Sequence, residues 1–336
     1  MKQSYIDLMR PKKSYQTILI QREIDGNSFY KKYHKQFVDI NCPACDGKGE
    51  VIFSKYGFKH KICSYCSTLF CSPRPQDDLL TIYYNDWESP QMWTNLLLDT
   101  DNERKMLQYQ PRIEKIVSLI KQDHKEYGGI ALDVGAGAGA FALCLKHSKF
   151  FSDVITLDLS EACVSTCKKL GLNALKKSIN EMADDAVDLI SINDLIEHLY
   201  DPHVFLTECY RSIRYGGYIA IATPNGEGFD FKVMKDKTVN ITPPEHLNYF
   251  NPYSMELLLK RAGFTVLFLD TPGKLDVQIV LNQKKAGHSI VRNNEYIDFL
   301  LTQDEEILNN FQAFISNNKL SSHMFCLAKK NQKGHV

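Results

Sequence analysis

A short glycine-rich segment limits the fold of this chain more than any other feature. An apolar run, Ile130–Val134, leads directly into three glycines at alternate positions, Gly135, Gly137 and Gly139, and an apolar helical pattern follows. Glycines let the backbone approach a ligand closely, and the first N–H groups of the next helix can point at an anion. The segment therefore predicts a buried strand, a ligand-binding turn and a helix of an α/β fold.

The second half of the chain alternates short apolar runs with segments of helical length. Such alternation predicts parallel strands joined by right-handed crossovers, in a doubly wound α/β fold. The predicted strands are Ile130–Val134, Val154–Leu157, Leu189–Ile192, Tyr218–Ala222, Phe264–Leu269 and His323–Ala328. An amphipathic stretch at about 280–320 predicts a helical insertion between the last two of them.

Two acidic residues near the glycines narrow the class of ligand. Asp133 lies two residues before the first glycine, where a carboxylate suits a ligand with an ammonium group and repels a pyrophosphate. Asp158 closes the next predicted strand, where its two oxygens can accept hydrogen bonds from both hydroxyls of a ribose. A nucleoside linked to an amino acid fits both carboxylates. Because the glycines also fit a dinucleotide fingerprint, an NAD(P)-binding oxidoreductase is the alternative.

At these positions the chain resembles the class I S-adenosylmethionine-dependent methyltransferases, whose first motif is an acidic residue, any residue and then G-x-G-x-G. Further motifs of the resemblance follow in order at 186–193, 214–219, 223–225, 244–250 and 262–264. The resemblance covers roughly residues 129–329. It implies a Rossmann-like seven-stranded sheet with an antiparallel last strand, and an enzyme that transfers a methyl group from S-adenosylmethionine.

The resemblance also assigns cofactor-binding residues. Those expected to hold the methionine end are Asp133, Gly135, Gly137 and Gly139. Those expected around the ribose, the adenine and the sulfonium are Asp158, Leu159, Ser178, Ile179 and Asn193. The alternative is a glycine-rich turn that only packs a helix against a strand, with Asp158 as a helix N-cap.

Four cysteines in two pairs form the second strong signal. Cys42 and Cys45, and then Cys63 and Cys66, are C-x2-C pairs with seventeen residues between them. Four thiolates complete a tetrahedral zinc site with no open position for catalysis, so the predicted role is structural. The segment has few aliphatic side chains, and metal binding would supply the free energy that orders it. Disulfides are the alternative, and Cys71, outside the pair spacing, is expected in the core.

The cysteine segment continues into a run, 66–75, that resembles the zinc-ribbon leader found before many bacterial methyltransferase domains of glycan and sugar-nucleotide pathways. The resemblance implies an acceptor that is a polar small molecule, such as a sugar nucleotide or glycan precursor, methylated at oxygen or carbon. The predicted organisation is an N-terminal helical segment at 1–36, a zinc ribbon at 37–76, a helical linker or cap at 77–127 and the S-adenosylmethionine-binding domain at 128–336.

Acidic and histidine residues after the predicted strands are candidates for handling the acceptor. Glu197 and His198 follow the strand at Leu189–Ile192, and His246 lies in a later loop, so all three can reach the crevice of the sheet. His198 or His246 is predicted to be the general base, with Glu197 fixing its tautomer. A purely structural acid–histidine pair is one alternative.

A second metal site is the other alternative at this position. If the stretch 194–198 is helical, Asp194, Glu197 and His198 share one face and could bind a divalent ion with His246 as a fourth ligand. The stretch resembles a related arrangement in ubiquinone-pathway and small-RNA O-methyltransferases. The resemblance thus leaves a base, a structural pair and a metal site to be distinguished.

Charge and hydropathy argue against several classes of partner. Lys plus Arg and Asp plus Glu number 40 each, so no global field attracts nucleic acid or an anionic membrane. Basic and aromatic residues alternate at 48–61, as in a single-strand binder, but a solvated hairpin is the expectation here. No apolar stretch is long enough to span a bilayer, and a cytoplasmic protein is predicted. A non-catalytic module, whose ribbon binds RNA or protein, is the remaining alternative.

Overall fold

Two β-sheets and their covering helices make up the chain, whose computed structural model describes residues 8–123, 129–285, 287 and 294–331. In chain order the strands are β1 (Gly49–Lys55), β2 (Phe58–Cys63), β3 (Leu69–Cys71), β4 (Ile130–Val134), β5 (Asp153–Leu157), β6 (Asn173–Leu175), β7 (Val187–Asn193), β8 (Ile213–Pro224), β9 (Asn248–Tyr249), β10 (Thr265–Asp270) and β11 (His323–Lys329).

The helices are α1 (Lys12–Tyr33), α2 (Asp77–Asp86), α3 (Glu88–Asp99), α4 (Asp101–Arg104), α5 (Gln110–Gln122), α6 (Ala140–His147), α7 (Glu161–Lys169), α8 (Pro202–Ser212), α9 (Phe229–Met234), α10 (Pro252–Arg261), α11 (Asp276–Lys285), α12 (Glu295–Leu300) and α13 (Glu305–Asn317). Shorter 3-10 turns lie at His34–Gln36, Ile179–Glu181, Ile196–His198 and Lys235–Lys237, and a π turn at Lys105–Tyr109 joins α4 to α5. None of the described helices is long and apolar enough to cross a bilayer.

The larger sheet has seven strands in the order β10-β11-β8-β7-β4-β5-β6. Strands β4 to β8 pair in parallel, whereas β11 runs antiparallel to both β8 and β10. The chain reverses direction along the sheet after β6, because β7 returns to the other side of β4. The predicted doubly wound α/β fold, with seven strands and an antiparallel last strand, is confirmed.

Neighbouring residues of the central strands pack on opposite faces of this sheet. Leu132 and Ile190 belong to the buried cluster on one face, whereas Ala131 and Leu189 belong to the cluster on the other. A strand buried on both faces reads as a continuous apolar run, which is why the sequence pattern identified these strands. The six predicted strands are all present, and β6 was missed because it is only three residues long.

The smaller sheet joins the cysteine segment to the rest of the chain. Its strand order is β1-β2-β3-β9, and β3 pairs with β9 through Leu69 opposite Tyr249. Cys66 and Phe70 lie in the same buried cluster as Met255 of α10 and the strands of the large sheet. The ribbon is therefore packed into the core of the α/β unit, and β9 completes its sheet from within the segment 128–336.

Helices fill the remaining predicted segments. Most of the segment 1–36 is the single helix α1, and the segment 77–127 contains α2 to α5. Helices α11 to α13 occupy the region where the sequence predicts an insertion between β10 and β11. Parts of these predicted segments, at 1–7, 124–128, 286, 288–293 and 332–336, lie outside the described residues.

Candidate functional site

A cavity of about 580 Å³ opens at the carboxyl ends of β4 and β7. Its wall includes the loop that follows β4, the segment that follows β7, and Trp93 and Arg104 from the helices of the cap. The far side is formed by the segment 270–276, which enters α11, and by residues 321–323, which enter β11. Ligands of open α/β sheets bind in this position. None of residues 37–76, the predicted ribbon, is among the described residues that line the cavity.

The glycine loop that follows β4 has a backbone that needs glycine. Gly135, Gly137 and Gly139 all have positive φ, at 69°, 54° and 82°. A Cβ atom on Gly135 would come within 2.9 Å of the Leu195 side chain, whereas one on Gly137 would meet nothing within 4 Å. The loop therefore packs closely at its first glycine and faces open space at its second.

Asp133 is the buried acidic residue of the loop. Its side chain is 2% exposed, and Oδ1 accepts a hydrogen bond of 2.6 Å from Ser191 Oγ. Burial raises the pKa of Asp133 to about 7, against the lowering effect of the Ser191 hydrogen bond. The carboxyl also borders the cavity. A cationic group placed there would favour its ionised form.

Asp158 braces the glycine loop from the end of β5. Its Oδ2 accepts from the Gly137 N–H at 2.9 Å, and its Oδ1 accepts from the Ser160 N–H at 2.8 Å. Ser160, and not Asp158, caps α7, because its Oγ accepts from Cys163 N–H. Each carboxylate oxygen has a further lone pair, so both can still accept from a ribose hydroxyl.

The other predicted cofactor residues differ in whether they reach the cavity. Asn193 lines the cavity beside Asp133, and its buried Nδ2 has no hydrogen-bond partner among the described residues. Leu159 is 70% exposed, Ser178 caps the 3-10 turn that follows it, and Ile179 is a core residue. These three, like Gly139 and Asp158, do not line the cavity, and their roles stay predictions.

Arg112 is a cavity residue that the sequence analysis missed. It projects from α5, and its guanidinium donates a 2.5 Å hydrogen bond to Asn193 Oδ1. The guanidinium thus lies beside the glycine loop and the end of β7. No motif marks it, because an arginine on an amphipathic helix has the same pattern as an ordinary solvated residue.

Glu197, His198 and His246 form a compact group on the cavity wall. One ligand atom from each lies within 4.8 Å of those of the other two. Glu197 Oε2 accepts from Thr223 Oγ1 at 2.8 Å, while its Oε1 has no hydrogen-bond partner among the described residues. The rings of His198 and His246 meet edge to face, with centroids 4.6 Å apart. The structure brings together the three residues that the sequence predicts for the acceptor.

Burial dominates the protonation of this group. It raises the pKa of Glu197 well above its ordinary value, and the charge of Asp194 adds to that effect. Burial likewise lowers the pKa of His198, and it lowers that of His246 further, with the neighbouring His198 contributing. A protonated carboxyl and two neutral imidazoles can donate hydrogen bonds to an uncharged polar molecule and can also accept hydrogen bonds from it.

Asp194 does not join this group, and the helical interpretation of 194–198 is wrong. Asp194 has a φ of +50°, and only Ile196–His198 forms a single 3-10 turn. Its Oδ1 lies 3.0 Å from Nε2 of His323 instead. Burial works to raise the pKa of Asp194, but His323 and Arg112 outweigh it and hold that pKa below the ordinary range. The four-ligand metal set predicted from a helix is thus reduced to three residues.

The four paired cysteines converge on one point in the ribbon. One sulfur pair, Cys42 and Cys66, is 3.5 Å apart, as is the other, Cys45 and Cys63. All four sulfurs lie within 4.8 Å of one another, and none of the ten cysteines is in a disulfide. A tetrahedron with metal–sulfur bonds of about 2.3 Å has edges of about 3.8 Å, so the cluster fits zinc. Cys71 lies outside it, 3.3 Å from His60 Nε2.

The glycine loop and the acid–histidine group both lie in a stretch that is similar to a known protein family. The family described as "Methyltransferase domain" matches residues 104–269. This stretch, just under half of the chain, is similar to a methyltransferase domain. The matched range includes the glycine loop, Asp158 and the Glu197–His198–His246 group, whereas the ribbon, α1 and β11 lie outside it.

Two curated proteins are similar to part of this chain, and both are named as methyltransferases. An S-adenosylmethionine-dependent methyltransferase of Mycolicibacterium smegmatis is 30% identical over 43% of this chain and 54% of its own length. A ubiquinone biosynthesis O-methyltransferase of Marinobacter nauticus is 27% identical over 41% of this chain and 65% of its own length. The chain thus spans between about half and two thirds of the relatives it matches.

Solved methyltransferases resemble the chain at low sequence identity. A SAM-dependent methyltransferase from Archaeoglobus fulgidus is 20% identical, with a TM-score of 0.42, over 65% of this chain and 94% of that one. Another, from Aquifex aeolicus, is 20% identical with a TM-score of 0.39, over 66% of this chain and 98% of that one.

Proposed function

We propose that the chain is an S-adenosylmethionine-dependent methyltransferase that methylates oxygen or carbon of a polar small molecule, such as a sugar nucleotide or another glycan precursor. One observation carries the proposal. A single cavity connects the glycine loop and Asp133 with the Glu197–His198–His246 group. A methyl donor and a polar acceptor held at these two places would share one enclosed space, as a direct transfer between them requires.

The residues around the loop fit the methyl donor. Asp133 offers a buried carboxylate for the ammonium of the methionine end, and Arg112 offers a cation for its carboxylate. The buried Nδ2 of Asn193 forms no hydrogen bond with any residue that the structure describes, so a ligand could accept a hydrogen bond from it. Gly137 leaves open space where any side chain would intrude, and Asp158 can accept from the ribose.

The chain's own residues then position the acceptor and manage its proton. When bound, S-adenosylmethionine supplies a methyl carbon that its sulfonium activates for an in-line displacement. Glu197, His198 and His246 offer hydrogen bonds to the acceptor group at the other end of the cavity. It stays a prediction that His198 or His246 removes the acceptor's proton. In that prediction, Glu197 fixes the tautomer of the histidine.

Several polar side chains on the cavity wall support a polar acceptor. Besides the three-residue group, the wall carries Asn240, Asp270 and Lys274. The resemblance of the ribbon to leaders in glycan and sugar-nucleotide pathways supports the same acceptor class. The cluster of four cysteines supports structural zinc, held by Cys42, Cys45, Cys63 and Cys66.

Transfer of a radiolabelled methyl group to fractionated cell extract tests the proposed function. Purified full-length protein and labelled S-adenosylmethionine are incubated with each fraction, and label is counted in small molecules, RNA and protein separately. Label in a polar small-molecule fraction is the expected result. Label only in RNA or protein, or tight partner binding without turnover, would favour the non-catalytic or macromolecular alternatives.

Asp158→Ala should weaken the binding of S-adenosylhomocysteine by roughly 10- to 100-fold. The substitution removes two hydrogen bonds to a charged acceptor, each worth about 1.5–3 kcal/mol, and hydrogen bonds to water recover part of that free energy. Isothermal calorimetry measures the change. Asp153→Ala is the matched control, because this exposed residue begins the same strand. Equal affinities of the Asp158→Ala and Asp153→Ala proteins would remove Asp158 from the site.

Binding of S-adenosylhomocysteine should strengthen as the pH rises from 6 to 8. The pKa of Asp133 is raised to about 7, so below that pH the carboxyl is protonated and cannot pair with the ammonium of the ligand. Above pH 7 it is ionised, and the affinity should level off. Calorimetry across this range checks the trend, and Asp133→Asn should flatten it. An Asp133→Asn protein with the wild-type pH dependence would assign the titration to another group.

A further inference from the structure

A second acid–histidine pair, Asp194 and His323, lies on the wall of the same cavity. Nε2 of His323 is 3.0 Å from Oδ1 of Asp194. Asp194 directly follows β7 and His323 begins β11, and both of these strands pair with β8. His323 lies outside the residues matched by the methyltransferase family. The pair is thus formed by the antiparallel last strand and not by a local motif.

The backbone holds Asp194 in an uncommon conformation. Its φ of +50° lies in the left-handed region, and its N–H donates to the Ala222 carbonyl at 2.8 Å. Residues other than glycine rarely adopt this conformation, and such residues concentrate at functional sites. The end of β7 is therefore fixed so that the carboxylate meets His323 at the cavity.

The carboxylate determines which ring nitrogen of His323 is available. Because Asp194 accepts a hydrogen bond from Nε2, that nitrogen carries the hydrogen and Nδ1 carries the lone pair. Within the described part of the chain, no residue makes a hydrogen bond with Nδ1. The ring thus presents a proton-accepting nitrogen that is not used by the fold.

The other two histidines of the cavity have different partners. Nδ1 of His246 is 3.0 Å from a backbone carbonyl, and Nδ1 of His198 is 2.7 Å from the Tyr84 hydroxyl. Oε1 of Glu197 is 3.9 Å from His198 Nε2, which is too long for a hydrogen bond. Of the three lining histidines, the described contacts give His323 alone a hydrogen-bonded carboxylate. Such a carboxylate orients an imidazole and stabilises the imidazolium that forms when it takes a proton.

We infer that His323, oriented by Asp194, is the general base of the methyl-transfer site. This inference rests on the proposed function. The acceptor's lone pair forms the bond to the methyl carbon, the carbon–sulfur bond breaks with its electron pair on sulfur, and the acceptor's proton passes to Nδ1 of His323. The imidazolium later releases the proton to water. Glu197, His198 and His246 then bind the acceptor rather than deprotonate it.

Turnover of His323 variants on the methyl-accepting extract fraction tests the inference. His323→Ala should lower the rate at saturating acceptor by about 100- to 10,000-fold, with unchanged affinity for S-adenosylhomocysteine. Free imidazole should restore part of the rate to His323→Ala but not to His323→Gln, whose side chain fills the space. Asp194→Asn should also lose rate, and His147→Ala, an exposed histidine far along α6, should lose none.

Two results would overturn the inference. One is unchanged turnover in His323→Ala, and the other is imidazole rescue of His246→Ala or His198→Ala without rescue of His323→Ala. Either result leaves the proposed function intact, whereas failure of the wild-type protein to bind S-adenosylhomocysteine would count against that function instead.

A measurement that needs no acceptor keeps the inference testable on its own. Diethyl pyrocarbonate modifies unprotonated imidazole nitrogens, and mass spectrometry reports the rate at each histidine. With S-adenosylhomocysteine bound, His323 should react more slowly in Asp194→Asn than in the wild type, measured relative to the exposed His34. Equal relative rates in the two proteins would show that Asp194 does not activate His323 and would also overturn the inference.

Discussion

Cys66→Ser is expected to prevent stable folding of the whole chain and not only of the ribbon. Cys66 is 1% exposed, and its carbonyl accepts a 2.8 Å hydrogen bond from the Asn251 side chain at the start of α10. Zinc contributes about 10–16 kcal/mol to the folding of isolated zinc fingers, which is as large as the usual stability of a domain, about 5–15 kcal/mol. Because the ribbon shares one buried cluster with the large sheet, its loss should destabilise both.

Thermal unfolding and zinc content of the purified protein measure this effect. We expect the wild type to contain one zinc ion and to unfold cooperatively, and Cys66→Ser to be insoluble or to lack a cooperative transition. Cys163→Ser is the control, because Cys163 is a half-buried thiol on α7 outside the cluster. A Cys66→Ser protein that unfolds like the wild type, or a metal-free wild type of unchanged stability, would contradict the zinc proposal.

Arg22→Met should lower the free energy of unfolding by about 3–5 kcal/mol, the usual loss when one partner of a buried ion pair is removed. Arg22 of α1 donates two hydrogen bonds to Glu245, of 3.0 and 2.6 Å, and the two side chains are 7% and 4% exposed. Without the guanidinium, the Glu245 carboxylate would remain buried without its cation. Since Glu245 precedes His246, the acceptor end of the cavity should be disturbed as well.

Urea unfolding of the wild type and four variants separates the ion pair from other effects of the substitution. Arg22→Met combined with Glu245→Gln should lose less stability than the two single changes added together, because the double variant leaves no unpaired charge. Glu23→Gln, an exposed change on the same helix, should be neutral. Strict additivity of Arg22→Met and Glu245→Gln would show that the pair is not coupled, against the observed geometry.

Local patterns in the sequence predicted most of the large sheet. Ile130–Val134 was predicted with its observed bounds, because a strand buried on both faces is a continuous apolar run that ends at a glycine. The cysteine pairs were equally informative, because the C-x2-C spacing predicted that four thiols converge on one point, as the structure shows. In both cases the physical constraint acts between residues that are close in sequence.

Contacts between distant residues explain what the sequence could not predict. The segment 194–198 has helical spacing, but Asp194 adopts a left-handed conformation and pairs with His323, which no local pattern shows. The two-residue strand β9 is too short for any periodicity, and it exists because β3 lies beside it. The ion pair of Arg22 and Glu245 could not be predicted either, because only folding brings these two distant residues together.

Calorimetric titration of the purified chain with S-adenosylhomocysteine and, separately, with NADH tests the central claim most directly. The claim is that Asp133, the glycine loop and Asp158 form a binding site for an adenosyl amino acid. We predict saturable one-site binding of S-adenosylhomocysteine that Asp158→Ala weakens, and no binding of NADH. Saturable binding of NADH with none of S-adenosylhomocysteine would contradict the claim and favour a nucleotide-dependent oxidoreductase.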